Sequence, residues 1–129
     1  MILMENFRDF AVGDPFGQTW HAHFKYLQTG ISIRHSNSVD VCYVLESGSE
    51  RMLKTVVIQN ADIRAYADRT KRPVSDPWCG RIAMCKLRYV IETGEDLEKD
   101  YLPVTAREIE EFDSKIAQWE KGWVKGHAA

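Results

Sequence analysis

The sequence predicts an α+β fold, in which a four-stranded antiparallel meander is followed by three helices that pack on it. The first observation is a period of two: apolar and polar residues alternate between Thr19 and about residue 58, as in half-buried strands. The second is a change near Asn60, after which apolar residues recur every three or four positions, as on one side of a helix. Short turns make neighbouring strands antiparallel, and such a meander is free to curve strongly or to resemble a barrel.

The composition predicts one domain that spans residues 1–129. Hydrophobic residues make up 44% of the chain and charged residues 28%, which is ordinary for a globular protein and argues against disorder. Gly13, Pro15 and Gly17 are turn-forming residues, so we expect residues 1–18 to be an irregular N-terminal arm. Residues 19–58 then form the sheet, and residues 60–124 form the helices.

The sequence favours a cytoplasmic location without a membrane partner. It has no apolar run long enough to predict a membrane segment, and its first residues lack the basic and apolar regions of a signal peptide. The sequence contains three cysteines, Cys42, Cys79 and Cys85. An odd number of cysteines is typical of reduced thiols and not of a disulfide framework. We expect all three to be small buried core residues.

The predicted strands lie at about 19–28, 31–35, 39–46 and 50–58. In the first strand, alternation assigns one face to Trp20, Ala22, Phe24 and Tyr26. It assigns the other face to His21, His23 and Lys25. In the third strand, the same rule separates Cys42 and Val44 from Val39, Val41 and Tyr43.

The predicted helices lie at about 60–70, 76–92 and 105–124. Asn60 and Ser75 are of types that cap helix N-termini, Thr105-Ala-Arg-Glu108 has the pattern of a capping box, and Gly126 is placed to close the last helix. The second helix is apolar around most of its circumference, so we expect it at the centre of the core. The acidic stretch 94–100 is expected to be a loop, with no strand after residue 75.

His21 and His23 form the most metal-like pair in the chain. Two histidines at positions i and i+2 of a strand point the same way, roughly 7 Å apart, which suits two ligands of a divalent zinc or iron ion. The third ligand would come from a neighbouring strand, where the candidates are His35, Asp40 and Cys42. The alternative is that both imidazoles belong to the solvated face of an amphipathic strand, and this interpretation is favoured. No other cofactor is predicted.

Charge is spread unevenly along the chain. The first 50 residues carry a net charge of −3, residues 51–90 carry +6, and residues 91–129 carry −5. The basic residues Arg64, Arg69, Lys71, Arg72 and Arg81 could receive phosphates of a nucleic acid. Because the chain as a whole is slightly acidic, we favour a basic segment that packs against an acidic one, in the same molecule or in a partner subunit.

The last predicted helix carries a narrow apolar seam formed by Ile109, Phe112, Ile116, Trp119 and Trp123, at spacings of 3, 4, 3 and 4 residues. One interpretation is docking on the sheet or on the second helix. The other is self-association, because aromatic residues are favoured at interface centres and the flanks of this seam are charged. We expect a homo-oligomer, specifically a homodimer in which the partner chain buries Trp119 or Trp123, while the first turns of the helix also dock within the subunit.

No catalytic motif identifies a reaction or a substrate. Cys79 lies in the first turn of a helix, where the dipole favours a thiolate, but the apolar surroundings favour burial in the core. The favoured function is a small binding or interaction module that self-associates through its C-terminal helix and has a sheet face able to hold a ligand. The alternatives are a metal-dependent enzyme or metal-binding protein that uses His21 and His23, and a weak nucleic-acid binder that uses residues 51–90.

Overall fold

The computed structural model describes residues 6–30 and 37–128, and of residues 120–128 it describes the backbone only. The elements are, in chain order, β1 (Asp9–Gly13), β2 (Thr19–Gly30), β3 (Ser38–Ser47), β4 (Glu50–Gln59), α1 (Asn60–Thr70), α2 (Asp76–Thr93), β5 (Tyr101–Val104) and α3 (Ala106–Ala128). The strands form one sheet in the order β1-β2-β3-β4-β5. The predicted α+β class is therefore confirmed, and the sheet is open, with β1 and β5 at its edges.

The predicted strands at 19–28, 39–46 and 50–58 are confirmed as β2, β3 and β4, which pair antiparallel. The predicted strand at 31–35 lies outside the described residues. The sheet gains β1, because the prediction of an irregular arm over residues 1–18 is wrong for Asp9–Gly13. Phe10 and Val12 alternate with exposed neighbours and are buried, which is the pattern of a half-buried strand.

The sheet also gains β5, so the prediction of no strand after residue 75 is wrong. This strand pairs parallel with β4, with Thr55 opposite Tyr101 and Ile58 opposite Val104. A parallel neighbour requires a long crossover, which α1 and α2 supply. Leu102 and Val104 are buried, and Pro103 is tolerated because β5 is an edge strand.

Helix α2 lies at the centre of the core, as predicted, and contacts all five strands. Ser75 caps it by accepting a 3.3 Å hydrogen bond from the Trp78 backbone N–H, and Gly94 ends it in the left-handed conformation. The predicted capping box of α3 is confirmed by hydrogen bonds of 3.0 and 3.1 Å between Thr105 and Glu108.

Two predicted helix ends are wrong. Asn60 is the first residue of α1 and not its cap; Gln59 holds that position and makes no capping side-chain hydrogen bond. Gly126 does not end α3, which continues to Ala128. Asparagine and glycine are common at helix ends, but neither residue type by itself fixes where a helix begins or ends.

The basic segment packs against the acidic last helix of the same subunit, which confirms the favoured interpretation of the charge pattern. Three ion pairs join the two: Arg69–Glu110 at 3.5 Å, Arg72–Asp113 at 3.2 Å and Lys86–Glu108 at 2.9 Å. Three cations of this segment, Arg69, Arg72 and Lys86, are therefore paired with acidic residues of α3.

Asp113 joins three elements on the buried side of α3. Its carboxylate accepts a 2.8 Å hydrogen bond from the Trp78 indole N–H and a 2.7 Å hydrogen bond from the Tyr66 hydroxyl. Arg72 completes the network, and the rings of Tyr66 and Trp78 are stacked at 6.2 Å. Burial raises the pKa of Tyr66 to about 12, so this phenol remains a hydrogen-bond donor at neutral pH.

Lys54 is a buried cation between the sheet and the loop that precedes β5. Only 1% of the residue is exposed, and its ammonium group donates hydrogen bonds to the carbonyl oxygens of Leu97 and Lys99. Burial lowers the pKa of Lys54 below its ordinary value of 10.5, against the opposing attraction of Asp100 and Glu98. The contact holds residues 97–100 in place directly before Tyr101.

Gly80 allows the segment before β1 to pack on α2. A Cβ atom at this position would overlap the Phe7 ring, which makes an edge-to-face contact with Phe24 at 5.7 Å. We expect Gly80→Ala to destabilise the protein by about 1 kcal/mol, because displacement of Phe7 outweighs the gain in helix propensity. In a Phe7→Ala background the same change should be stabilising, because the ring is absent. Urea denaturation of the four proteins tests this reversal of sign, and an equal effect in both backgrounds would contradict it.

Candidate functional site

One face of the sheet carries the helices, and the opposite face, which we call the outer face, carries the candidate site. Val41, Tyr43 and Val56 belong to the main core, which they share with α2. Side chains alternate along a strand, so Cys42, Val44 and Thr55 point to the outer face. The predicted separation of Cys42 and Val44 from Val39, Val41 and Tyr43 is confirmed by this arrangement.

A row of four paired residues crosses the outer face from β2 to β5: Tyr26, Cys42, Thr55 and Tyr101. Three spacings between adjacent strands separate the two tyrosines, so their Cα atoms lie roughly 14 Å apart. Between them runs an open groove of about 600 Å³, which is also lined by Lys25, Arg51, Met52, Leu53 and Asp100. The two phenols form the walls of this groove, and Cys42 and Thr55 form its floor.

The outer face has a small buried cluster of its own. Cys42 is only 3% exposed and Val44 only 8%, although neither belongs to the main core. Around them Tyr26, Leu53 and Tyr101 are 40, 50 and 69% exposed, respectively. Large apolar side chains concentrated around a groove are typical of a binding surface, whereas isolated exposed ones are ordinary.

A β-bulge puts Tyr26 on this face. The pairing of β2 with β3 shifts between Phe24 and Tyr26, so Lys25 is the extra residue. The prediction that Tyr26 shares a face with Trp20, Ala22 and Phe24 is therefore wrong. Those three face or pack against the core, whereas Tyr26 lies on the same side of the sheet as His21 and His23.

The groove contains two cations that have no ion-pair partner among the described side chains, Lys25 and Arg51. Glu46, which is opposite Arg51 in the ladder, instead has its carboxylate 3.3 Å from the imidazole of His23. The carboxylate of Asp100 is attracted to the buried Lys54 ammonium. A side-chain hydrogen bond with Cys42 raises the pKa of Tyr26, which keeps this phenol protonated at neutral pH.

The structure places His21 and His23 together on the exposed outer face, but not beside Asp40 or Cys42, two of the predicted third ligands. His23 lies between two carboxylates, with Nδ1 3.3 Å from Asp9 and Nε2 3.3 Å from Glu46. Asp40 and Cys42 are paired with Gln28 and Tyr26, farther along the strands, and His35 is outside the described residues. Within the described part of the chain, no group of three His, Cys, Asp or Glu side chains could hold a metal ion. The metal site stays a prediction.

The other two cysteines are core residues, as expected. Burial raises the pKa of Cys79 to about 11 and that of Cys85 to about 12. Both thiols are therefore protonated at neutral pH, and the dipole of α2 does not turn Cys79 into a nucleophile.

The seam of α3 is divided between core and surface. Ile109, Phe112 and Ile116 are buried within the subunit, where α3 packs on α1 and α2. Trp119 is partly buried against the same core, and the side chain of Trp123 is outside the described residues. The first turns of α3 dock within the subunit. Self-association through the later residues, Trp119 and Trp123, stays a prediction.

Comparison with known proteins assigns no relatives: no protein-family model, no curated protein and no solved structure matches the chain. Among the described residues, no helix combines the length and the apolar character needed to cross a bilayer.

Of the residues that line the groove, the sequence singles out only Cys42 as a candidate site residue. Its alternation places Tyr26 on the wrong face, and it does not indicate Leu53 or Tyr101. The alternation of exposed Tyr101 and Pro103 with buried Leu102 and Val104 was the available signal for β5, but four residues are too few to distinguish a strand from a loop.

Proposed function

We propose that this protein is a binding module that holds a small molecule in the groove between Tyr26 and Tyr101. The observation that carries the proposal is the clustering of exposed Tyr26, Leu53 and Tyr101 around the buried Cys42 and Val44. Ligand sites are typically concave and mainly apolar, with a few polar groups that orient the ligand. The groove combines both kinds of group, since Lys25, Arg51, Asp100 and the Thr55 hydroxyl line it beside its aromatic and apolar residues.

The side chains that line the groove favour binding over catalysis. The protonated Tyr26 phenol is a donor and not a base at neutral pH, and the adjacent Cys42 is almost fully covered. Acid–base or nucleophilic catalysis usually requires two titratable groups in contact, one of which is adjusted to lose its proton near neutral pH. The described groove residues offer aromatic surfaces and fixed charges instead.

We expect fragments that bind this protein to contact the groove and to depend on both tyrosines. Tyr26→Ala or Tyr101→Ala should weaken such binding by about tenfold, because each removes one aromatic wall. Tyr89→Ala is the matched control: Tyr89 is also 40% exposed, but it lies on α2. The measurement is a ligand-observed NMR screen of several hundred small fragments, followed by mapping of the hits on the amide spectrum of the full chain.

The proposal fails if the hits map elsewhere, or if Tyr89→Ala weakens them as much as the groove variants do. It also fails if the screen returns no fragment that perturbs amides of β2, β3, β4 and β5 around the groove. Thermal unfolding of each variant checks that the fold persists, which is expected because the three tyrosines are exposed.

A further inference from the structure

We infer that the groove takes a planar aromatic molecule that carries an anionic group, such as an aryl carboxylate; this inference rests on the proposed function. The supporting observation is that one groove contains two tyrosines and two cations that have no ion-pair partner among the described side chains. Tyr26 and Tyr101 flank the floor, and Lys25 and Arg51 line the same groove.

The aromatic part of the ligand follows from the walls and the floor. Flat rings bind well against the faces and edges of tyrosines, with ring centroids about 4.5–7 Å apart. The roughly 14 Å between the two Cα atoms leaves room for a fused ring system between the phenols. Leu53, which is 50% exposed, adds an apolar contact beside the floor.

The anionic part follows from the charge balance within the groove. Of the nearby carboxylates, that of Glu46 lies 3.3 Å from the His23 imidazole, and that of Asp100 is attracted to the Lys54 ammonium. Lys25 and Arg51 have no such partner among the described residues, so the cavity has excess positive charge. The planar guanidinium of Arg51 can donate two parallel hydrogen bonds to one carboxylate.

The positions of these groups also define a direction for the ligand. Arg51, Leu53 and Thr55 are successive outer-face residues of β4, so Arg51 lies roughly 14 Å along the strand from the row that holds the tyrosines. The ring would lie over Thr55 and Leu53, with its anionic group directed toward Arg51, while Lys25, next to Tyr26, adds positive charge on the β2 side of the groove. Asp100 is beside Tyr101 at the opposite end, so it does not face the anion.

The test compares three probes by calorimetry on the full chain: 2-naphthoate, the neutral 2-naphthamide and the non-aromatic cyclohexanecarboxylate. We expect 2-naphthoate to bind about tenfold more tightly than either of the others. Lys25→Gln/Arg51→Gln should weaken 2-naphthoate by about tenfold and leave 2-naphthamide within about twofold. Arg64→Gln/Lys71→Gln, which removes two exposed cations at α1, is the control with the same change of net charge.

Two results would overturn the inference while leaving the proposed function in place. If 2-naphthamide binds as tightly as 2-naphthoate, the groove recognises the ring but not the anion. If cyclohexanecarboxylate binds as tightly as 2-naphthoate, it recognises the charge but not the ring. An equal loss of 2-naphthoate affinity in both double variants would assign the effect to net charge and would also overturn it. Failure of the proposed function is distinct, because then neither the fragments nor these probes perturb the groove.

Discussion

Replacement of Asp113 by alanine is expected to destabilise the protein by about 3–5 kcal/mol, the range found when one member of a buried ion pair is removed. Asp113 is only 6% exposed, and its carboxylate accepts hydrogen bonds from Trp78 and Tyr66 and pairs with Arg72. Alanine removes the acceptor of the buried Trp78 indole N–H and of the partly buried Tyr66 hydroxyl, together with the carboxylate that pairs with Arg72. Urea denaturation at neutral pH measures the change.

Two further variants make this expectation specific to the network. Asp113→Asn retains the volume and one acceptor, so we expect it to cost less than Asp113→Ala but more than 1 kcal/mol, on the order of one lost buried hydrogen bond. Glu110→Ala removes the partner of Arg69 on the exposed side of the same helix and should cost less than about 1 kcal/mol. If Asp113→Ala and Glu110→Ala have equal effects, Asp113 does not hold the three elements together.

Replacement of Lys54 by alanine is the second large effect, with an expected loss of about 3 kcal/mol. The variant removes a fully buried aliphatic stem and leaves the carbonyl oxygens of Leu97 and Lys99 without their donor. Lys54→Met keeps most of the stem and should cost about 1–2 kcal/mol. Lys99→Ala, at an exposed ammonium that pairs with Asp96, should change stability by less than about 0.5 kcal/mol.

The pH dependence of this effect has a defined sign. Burial lowers the pKa of Lys54 in the folded protein, so the unfolded chain holds this proton more tightly than the native state does. Stability contributed by Lys54 therefore rises as the pH increases toward 10.5, the ordinary value. We expect the stability difference between the wild type and Lys54→Met to widen between pH 7 and pH 10.5. A difference that shrinks over this range would contradict the lowered pKa.

Much of the fold could be predicted because local chemistry and tertiary structure agree. Ser75 and the pair Thr105 and Glu108 begin helices where their side chains can satisfy backbone N–H groups, and the structure contains these hydrogen bonds. The apolar circumference of α2 predicted a central helix for the same reason. The sequence did not predict β1, because the turn-forming residues after it indicated an irregular segment more strongly than its short alternation indicated a strand.

The candidate groove could not be predicted because it depends on pairing between distant residues. No sequence pattern indicates the bulge at Lys25, yet this bulge reverses the face of the sheet on which Tyr26 lies. Tyr101 reaches the groove only because β5 pairs parallel with β4 across a crossover of two helices. Periodicity is a local property, and it does not report which strands become neighbours.

The late position of β5 in the chain makes the groove a product of the whole fold. Strands β1 to β4 each pair with the strand next to them in the chain, whereas β5 is separated from its partner β4 by α1 and α2. During synthesis, one wall of the groove is present from Tyr26 onward, but the opposite wall arrives about 75 residues later with Tyr101. A ligand that requires both tyrosines would therefore bind only completed molecules and shift the folding equilibrium toward them.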